Sequence, residues 1–167
     1  MASRLDISEV VHRPAVSDKF RNFYAKLADL LEAPKALSDA GAESDQLRFH
    51  MLVTRGVQKD LARLFSSGFL TVPRKEVLRV IGVSERTLQR AVETDLLSPG
   101  ASDRLLRLAS VTQQAMDILG SQEAAEAWLA KPAIGLDRNR PIDLISTSAG
   151  TGAVKALLKR MNYEVYA

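Results

Sequence analysis

The clearest chemistry in the chain is a set of cations spaced four residues apart along a short helical pattern. In Val77-Leu78-Arg79-Val80-Ile81-Gly82-Val83-Ser84-Glu85-Arg86-Thr87-Leu88-Gln89-Arg90, Arg86 and Arg90 share one helical face. From it their guanidinium groups can reach phosphates or guanine edges, and Gln89 can read adenine or bond a phosphate. Ser84 sits where helix N-termini favour phosphate oxygens. Arg74, Lys75 and Arg79 lie just before and extend the basic surface. The candidate DNA contacts are therefore Arg74, Lys75, Arg79, Ser84, Arg86, Thr87, Gln89 and Arg90. An ordinary helical hairpin with a solvated arginine face has the same spacing, and Glu85 opposes phosphate unless it meets cytosine or an arginine.

Such a reader needs two helices locked at a sharp turn, the second exposing a polar first turn. Gly82 allows the reversal, Ile81, Val83 and Leu88 form the lock, and Ser84 caps a helix whose Leu88, Ala91 and Val92 are expected to face inward. Around this unit the spacing predicts further helices. Lys19 to Glu32 carries Phe20, Phe23, Tyr24, Leu27, Leu30 and Leu31 as an apolar stripe, capped by Ser17 or Asp18. Residues Asp45 to Phe65 repeat every three or four, with Gly56 a division point and Ser66-Ser67-Gly68 a stop. Pro73 suits the first turn of the following helix. After a loop at Leu97-Ser98-Pro99-Gly100, Ser102 is the expected cap of a helix over Asp103 to Leu119 that Gly120 ends. Glu123 to Leu129 is a short helix with Trp128 as a core anchor. Lys131 to Pro141 is a turn-rich loop, and Ile142 to Ile145 a brief apolar segment. Thr147 or Ser148 caps a last helix burying Val154, Leu157, Leu158 and Met161. Residues before about Asp18 read as a loose arm, and Ala36 to Ser44 as a connection.

Composition agrees with an all-α reading. Only 5% of the 167 residues are aromatic, and unbranched side chains that keep their rotamer freedom in helices dominate. With 46% hydrophobic and 26% charged residues, disorder is excluded, and the length suffices for one core or two small ones. A net charge of +3 and a pI near 9.3 fit an anionic partner without naming it. Zero cysteine removes disulfides, thiolate zinc sites and cysteine nucleophiles, and His12 and His50 alone build no metal centre. No apolar run is long enough to span a membrane, and the first residues lack an export signal, so a cytoplasmic protein is expected. Gly150-Thr151-Gly152 lacks the Gly-Lys-Ser/Thr ending of a phosphate loop. Carboxylates are scattered among Lys and Arg rather than paired for acid–base work, and no serine has a partner histidine. The chain is therefore read as a non-enzyme with no cofactor.

A second series of motifs carries a resemblance. Leu97-Ser98-Pro99, Ser102-Asp103-Arg104-Leu105-Leu106-Arg107-Leu108, Glu126-Ala127-Trp128-Leu129, Gly135-Leu136-Asp137-Arg138-Asn139-Arg140-Pro141-Ile142-Asp143-Leu144-Ile145, Thr147 with Gly150, and the closing Val165-Tyr166-Ala167 follow in order. With the Arg86-Thr87-Leu88 helix, this series resembles the Xre/MbcA/ParS family of antitoxins across residues 46 to 167. Gly100-Ala101 and Asn162-Tyr163-Glu164 depart from the family pattern. The resemblance implies an Xre-like helix-turn-helix domain over 45–112 and a small helical toxin-binding domain over 113–167, after an arm and helix over 1–44. It also implies a RES-domain toxin as partner, similar in fold to ADP-ribosyltransferases and acting on or with NAD. The antitoxin would block that active site and bind operator DNA to repress its own promoter. Toxin contacts would come from Arg138, Arg140, Arg160, Tyr163, Tyr166 and Ala167, since a cation, two hydrogen-bonding rings and a terminal carboxylate suit a nucleotide cleft. By residue type alone the two tyrosines equally suit packing of a helix end, Arg138 and Arg140 suit solvated turns, and Asp143 suits bracing of that loop through Arg140. A reader of this size is expected to act as a homodimer. A stand-alone repressor without an enzyme target is the alternative function, and a small helical enzyme a more distant one.

Overall fold

Phe20, Phe23, Tyr24 and Leu27 recur at steps of three and four and are all buried on one side of helix α1 (Asp18–Glu32). The chain is described by a computed structural model over residues 16–32, 45–92 and 94–166. Of the loose arm expected before about Asp18, residues 1–15 lie outside the described residues, but Val16 is buried in the core and Ser17 is hydrogen-bonded to the Gly68 carbonyl, so its end is fixed; the expected connection, Ala36 to Ser44, lies wholly outside them. Ser17 caps α1, its hydroxyl accepting from the Phe20 amide at 3.3 Å. Phe20 then stacks on Phe65 at a centroid distance of 5.2 Å and meets Phe69 edge-on at 4.9 Å. Chain and ring approach closely enough at Gly68 that a Cβ there would lie 2.3 Å from the Phe20 ring. Tyr24 donates its hydroxyl to the Ala109 carbonyl at 2.8 Å, and burial pushes its phenol well above the usual tyrosine range.

Helices α2 (Asp45–Arg55) and α3 (Lys59–Ser66) divide at Gly56, as the spacing predicts. They are followed by α4 (Arg74–Ile81), α5 (Glu85–Gln89), α6 (Pro99–Leu119), α7 (Gln122–Ala130), α8 (Pro141–Leu144) and α9 (Ser148–Tyr166), with a 3₁₀ turn at Ile134–Leu136. The apolar helix α6 is the axis on which α2, α4, α7 and α9 pack. It buries Leu105, Leu106, Leu108, Ala109, Val111 and Met116. Val154 and Leu158 are the buried residues of the stripe on α9, and Leu157 and Met161 are half-buried.

Three expectations are corrected. Helix α6 starts four residues earlier than predicted, because Ser98 caps it by accepting from the Ala101 amide at 3.3 Å and Pro99 occupies its first turn. There the missing N–H of proline costs nothing. Ser102 lies inside the helix, buried, and its hydroxyl accepts from the Val57 amide at 2.9 Å. Helix α5 ends at Gln89, leaving Ala91 half-buried and Val92 exposed rather than inward. Trp128 is half-buried at the edge of the core rather than an anchor within it.

The buried carboxylate of Glu126 on α7 joins distant segments. It accepts from the amides of Leu70, Thr71 and Val72, from the Thr71 hydroxyl and from Gln122 Nε2, all within 3.1 Å. Gln122 in turn donates to the Gly68 carbonyl and accepts from the Ser17 amide, both at 2.8 Å. The 68–72 link that enters α4 is thus held by side chains of α7.

Candidate functional site

The pair α4 and α5 turns at Gly82, whose φ of 81° lies in the left-handed region that glycine adopts without a Cβ clash. The amides of Gly82 and Val83 both return to the Leu78 carbonyl, at 2.9 and 3.0 Å. Arg104 from α6 closes the same corner, donating Nε to the Ile81 carbonyl at 3.0 Å. A Cβ on Gly82 would meet its guanidinium at 2.5 Å. Ser84 caps α5, accepting from the Thr87 amide at 3.1 Å and pairing with the Thr87 hydroxyl at 2.8 Å. Ile81 and Leu88 are fully buried and Val83 half-buried, so the lock forms. The far end of α5 is gripped by Arg63 of α3. Its Nη2 donates to the Leu88 carbonyl at 2.6 Å and its Nη1 to Asp60 at 2.9 Å.

This corner presents Ser84, Glu85, Arg86, Thr87, Gln89 and Arg90 to solvent, together with Arg74 and Lys75 on α4. Among the described residues, Arg74, Lys75, Arg86 and Arg90 form no ion pair. Such guanidinium groups, in solvent on a rigidly braced corner, can neutralise phosphates or fork onto guanine with no internal partner to displace. Arg79 differs, because it pairs with Asp143 at 2.7 Å and lies 3.9 Å from Glu76.

Arg140 belongs to the same network. Its Nε and Nη2 donate to Asp143 at 2.8 and 3.0 Å, and its Nη2 reaches Glu76 at 2.7 Å. The bracing of the loop through Arg140 and Asp143, one reading of the sequence, is present. These residues line an open groove with Pro73 and Lys75 between α4 and the start of α8. The hydrogen bond from Arg140, aided by Arg79, holds the Asp143 carboxyl below the usual carboxylate range, against the opposing effect of burial, and the same pairing raises Arg140.

Arg138 and Arg160 are exposed and unpaired among the described residues, while Arg140 is engaged by Glu76 and Asp143. The side chains of Tyr163 and Tyr166, and Ala167 altogether, lie outside what the structure describes. Sequence reasoning gave no role to Arg63, and none to Arg104 and Glu126 beyond their place in the motifs of the resemblance, although each acts on backbone groups distant in the chain. No group of three or more His, Asp or Glu able to hold a metal occurs among the described residues. No described helix is long and apolar enough to cross a membrane.

Residues 48–110, which hold this corner, match the family model of the antitoxin Xre-like helix-turn-helix domain. Residues 114–163 match that of the antitoxin Xre/MbcA/ParS C-terminal toxin-binding domain. An antitoxin Xre of Pseudomonas putida is 30% identical over 142 residues, which span 83% of this chain and 82% of that protein. An antitoxin Xre of Yersinia enterocolitica is 31% identical over 98 residues, 58% of this chain and 66% of its own length. Two adjoining domain matches and a relative aligned over most of both lengths converge on one conclusion: this chain belongs to the Xre/MbcA/ParS family of antitoxins, with a helix-turn-helix domain followed by a toxin-binding domain.

Proposed function

We propose that this chain neutralises a RES-domain toxin by binding it directly and occluding its NAD-dependent active site, and that it represses its own operon by binding operator DNA. The observation that carries this reading is the union in one chain of an exposed, unpaired arginine corner on a helix-turn-helix and a matched toxin-binding domain. Occlusion needs shape and charge but no chemistry, in keeping with carboxylates engaged in structural bonds such as those of Glu126 and Asp143. The toxin contacts are Arg138, Arg140, Arg160, Tyr163, Tyr166 and Ala167, with Arg140 released from its ion pairs or shared with them. The chain acts in the cytoplasm as a homodimer, because paired half-sites multiply individually weak DNA contacts. Its domains divide near residue 112, within the continuous helix α6.

The test is co-expression with the proposed partner, a RES-domain toxin of the same operon. The full chain should restore growth, and truncation after Arg160 should abolish rescue while operator binding persists. Rescue by the truncated chain would remove the tail from the mechanism. Operator binding with no effect on any RES-domain protein would leave a stand-alone repressor.

A further inference from the structure

Ile134, at the tip of the loop between α7 and α8, is 89% exposed, the most exposed large apolar side chain among the described residues. Its neighbours do not share that exposure. Two positions on, Leu136 is buried, and Ala133 is half-buried against the core. Between Ile134 and Leu136, Gly135 sits so close to α9 that a Cβ would lie 2.7 Å from Leu157 Cδ1 and 3.6 Å from Arg160 Nη2. The loop is therefore fastened to the core on both sides of the isoleucine and turns that one side chain outward.

The fastening is extensive for so short a segment. The Ala133 carbonyl accepts from the amides of Leu136 and Arg138, both at 3.0 Å, and the Ala133 amide donates to the Asn139 carbonyl at 3.1 Å. The Asn139 side chain and amide both donate to the Leu136 carbonyl at 2.9 Å. Asp137 and Arg138 hold consecutive left-handed conformations, φ 49° and 61°, which side-chain-bearing residues adopt at a cost. A rigid loop that exposes a branched apolar side chain is preorganised for contact, since little freedom remains to be lost on binding.

The surroundings select the partner. Lys131, Arg138 and Arg160 are exposed on or beside the loop, and Asp137 is the one acidic residue of segment 131–140, whereas Arg140 is engaged by Glu76 and Asp143. We infer that Ile134 is the apolar anchor of the toxin interface, entering a pocket on the toxin whose rim is acidic, with Arg138 and Arg160 meeting that rim. This rests on the toxin-binding reading above. It adds a central apolar contact to a surface otherwise described by charges and terminal aromatics, in the arrangement of a desolvated anchor inside a polar ring.

The experiment titrates the full chain against a catalytically inactive form of the RES-domain toxin proposed as its partner. Ile134→Ala and Ile134→Lys should weaken binding by about 30-fold or more, with the thermal midpoint of the free chain unchanged because the side chain packs against almost nothing. Ile134→Leu should retain most of the affinity. Arg138→Glu should chiefly slow association and reduce its salt dependence, as expected for a rim charge. If the unaltered chain fails to bind this protein, the toxin-binding reading falls and the anchor with it. If the unaltered chain binds and Ile134→Lys binds equally well, the anchor alone is overturned. A change in the oligomeric state of the free chain on Ile134→Lys would likewise overturn it, assigning the loop to contact between two copies.

Discussion

Individual arginines differ in this chain by what already holds them. Arg86 on α5 and Arg90 just past its end have no internal partner among the described residues, whereas Arg79, equally prominent in the sequence, is committed to Asp143. A free cation gains its full interaction on meeting phosphate, while a paired one must first give up its carboxylate. The doubly substituted chain, Arg86→Ala with Arg90→Ala, should therefore bind operator DNA about tenfold or more weakly. Each lost phosphate contact removes roughly 0.9 from the slope of log affinity against log salt, so the slope should flatten by roughly two. Filter binding or anisotropy across a salt series measures both, and an unchanged slope would move the phosphate contacts off α5. The spacing expects Arg86 and Arg90 on one face because residues four apart share it in a helix, and in the structure both are exposed, Arg90 one residue past the end of α5. It did not reveal that Arg79 is engaged, because its partner lies 64 residues away.

Among the elements, the link between α3 and α4 shows how an unremarkable segment becomes determined. Residues 69–73 run from the Ser66-Ser67-Gly68 stop to the helix that Pro73 opens, and in the structure three successive amides, of Leu70, Thr71 and Val72, converge on the Glu126 carboxylate. Replacing Glu126 with Ala would leave the amide of the buried Val72 without an acceptor, while those of the exposed Leu70 and Thr71 can turn to water. A buried unsatisfied group costs about 1–3 kcal/mol, so a loss in that range is expected. Urea unfolding checks it, and Glu126→Gln should lose less because its carbonyl oxygen still accepts. Since this link leads directly into α4, the same change should weaken operator binding at temperatures where the chain is still mostly folded. The ends of α5 follow a similar rule. Its start is legible because Ser84 caps it from three residues away. Its end is set by Arg63, whose guanidinium takes the Leu88 carbonyl and stops the inward run expected through Val92.

At the scale of the whole molecule, the two functional regions are bridged by a charge network of Glu76, Arg79, Arg140 and Asp143. One pair of its members comes from α4 of the helix-turn-helix region, the other from the segment that follows the Ile134 loop. The Asp143 carboxyl is held below its ordinary range, so its ionised form is favoured more in the folded chain than in the unfolded one. The stabilisation is then complete above an unfolded carboxylate pKa of about 4 and fades as pH falls through the depressed folded value. Because both carboxylates of the network are partly exposed, the loss in Asp143→Asn at neutral pH should be modest, about 1 kcal/mol. The difference in unfolding free energy between the two chains should stay level from pH 8 to 5 and shrink toward pH 3. A difference that instead grew in acid would contradict the pairing.

The sequence by itself determined the all-α class, the order of the helices other than the short α8, which it read as a loop and a brief apolar segment, the Gly82 turn with its Ser84 cap, and the membership that the domain matches carry. These follow from interactions between residues within about four positions of one another, and from motif order, both of which are written linearly in the chain. It misjudged the start of α6, where two serines could each act as cap. The choice fell to Ser98 while Ser102 was drawn to the Val57 amide, 45 residues away. Only the tertiary structure decided which arginines are free, which carbonyls Arg63 and Arg104 satisfy, and that Ile134 faces solvent while Leu136 faces the core. Those outcomes depend on which distant segments the packing of the helices on α6 brings within hydrogen-bonding or van der Waals reach, a condition that no local spacing encodes.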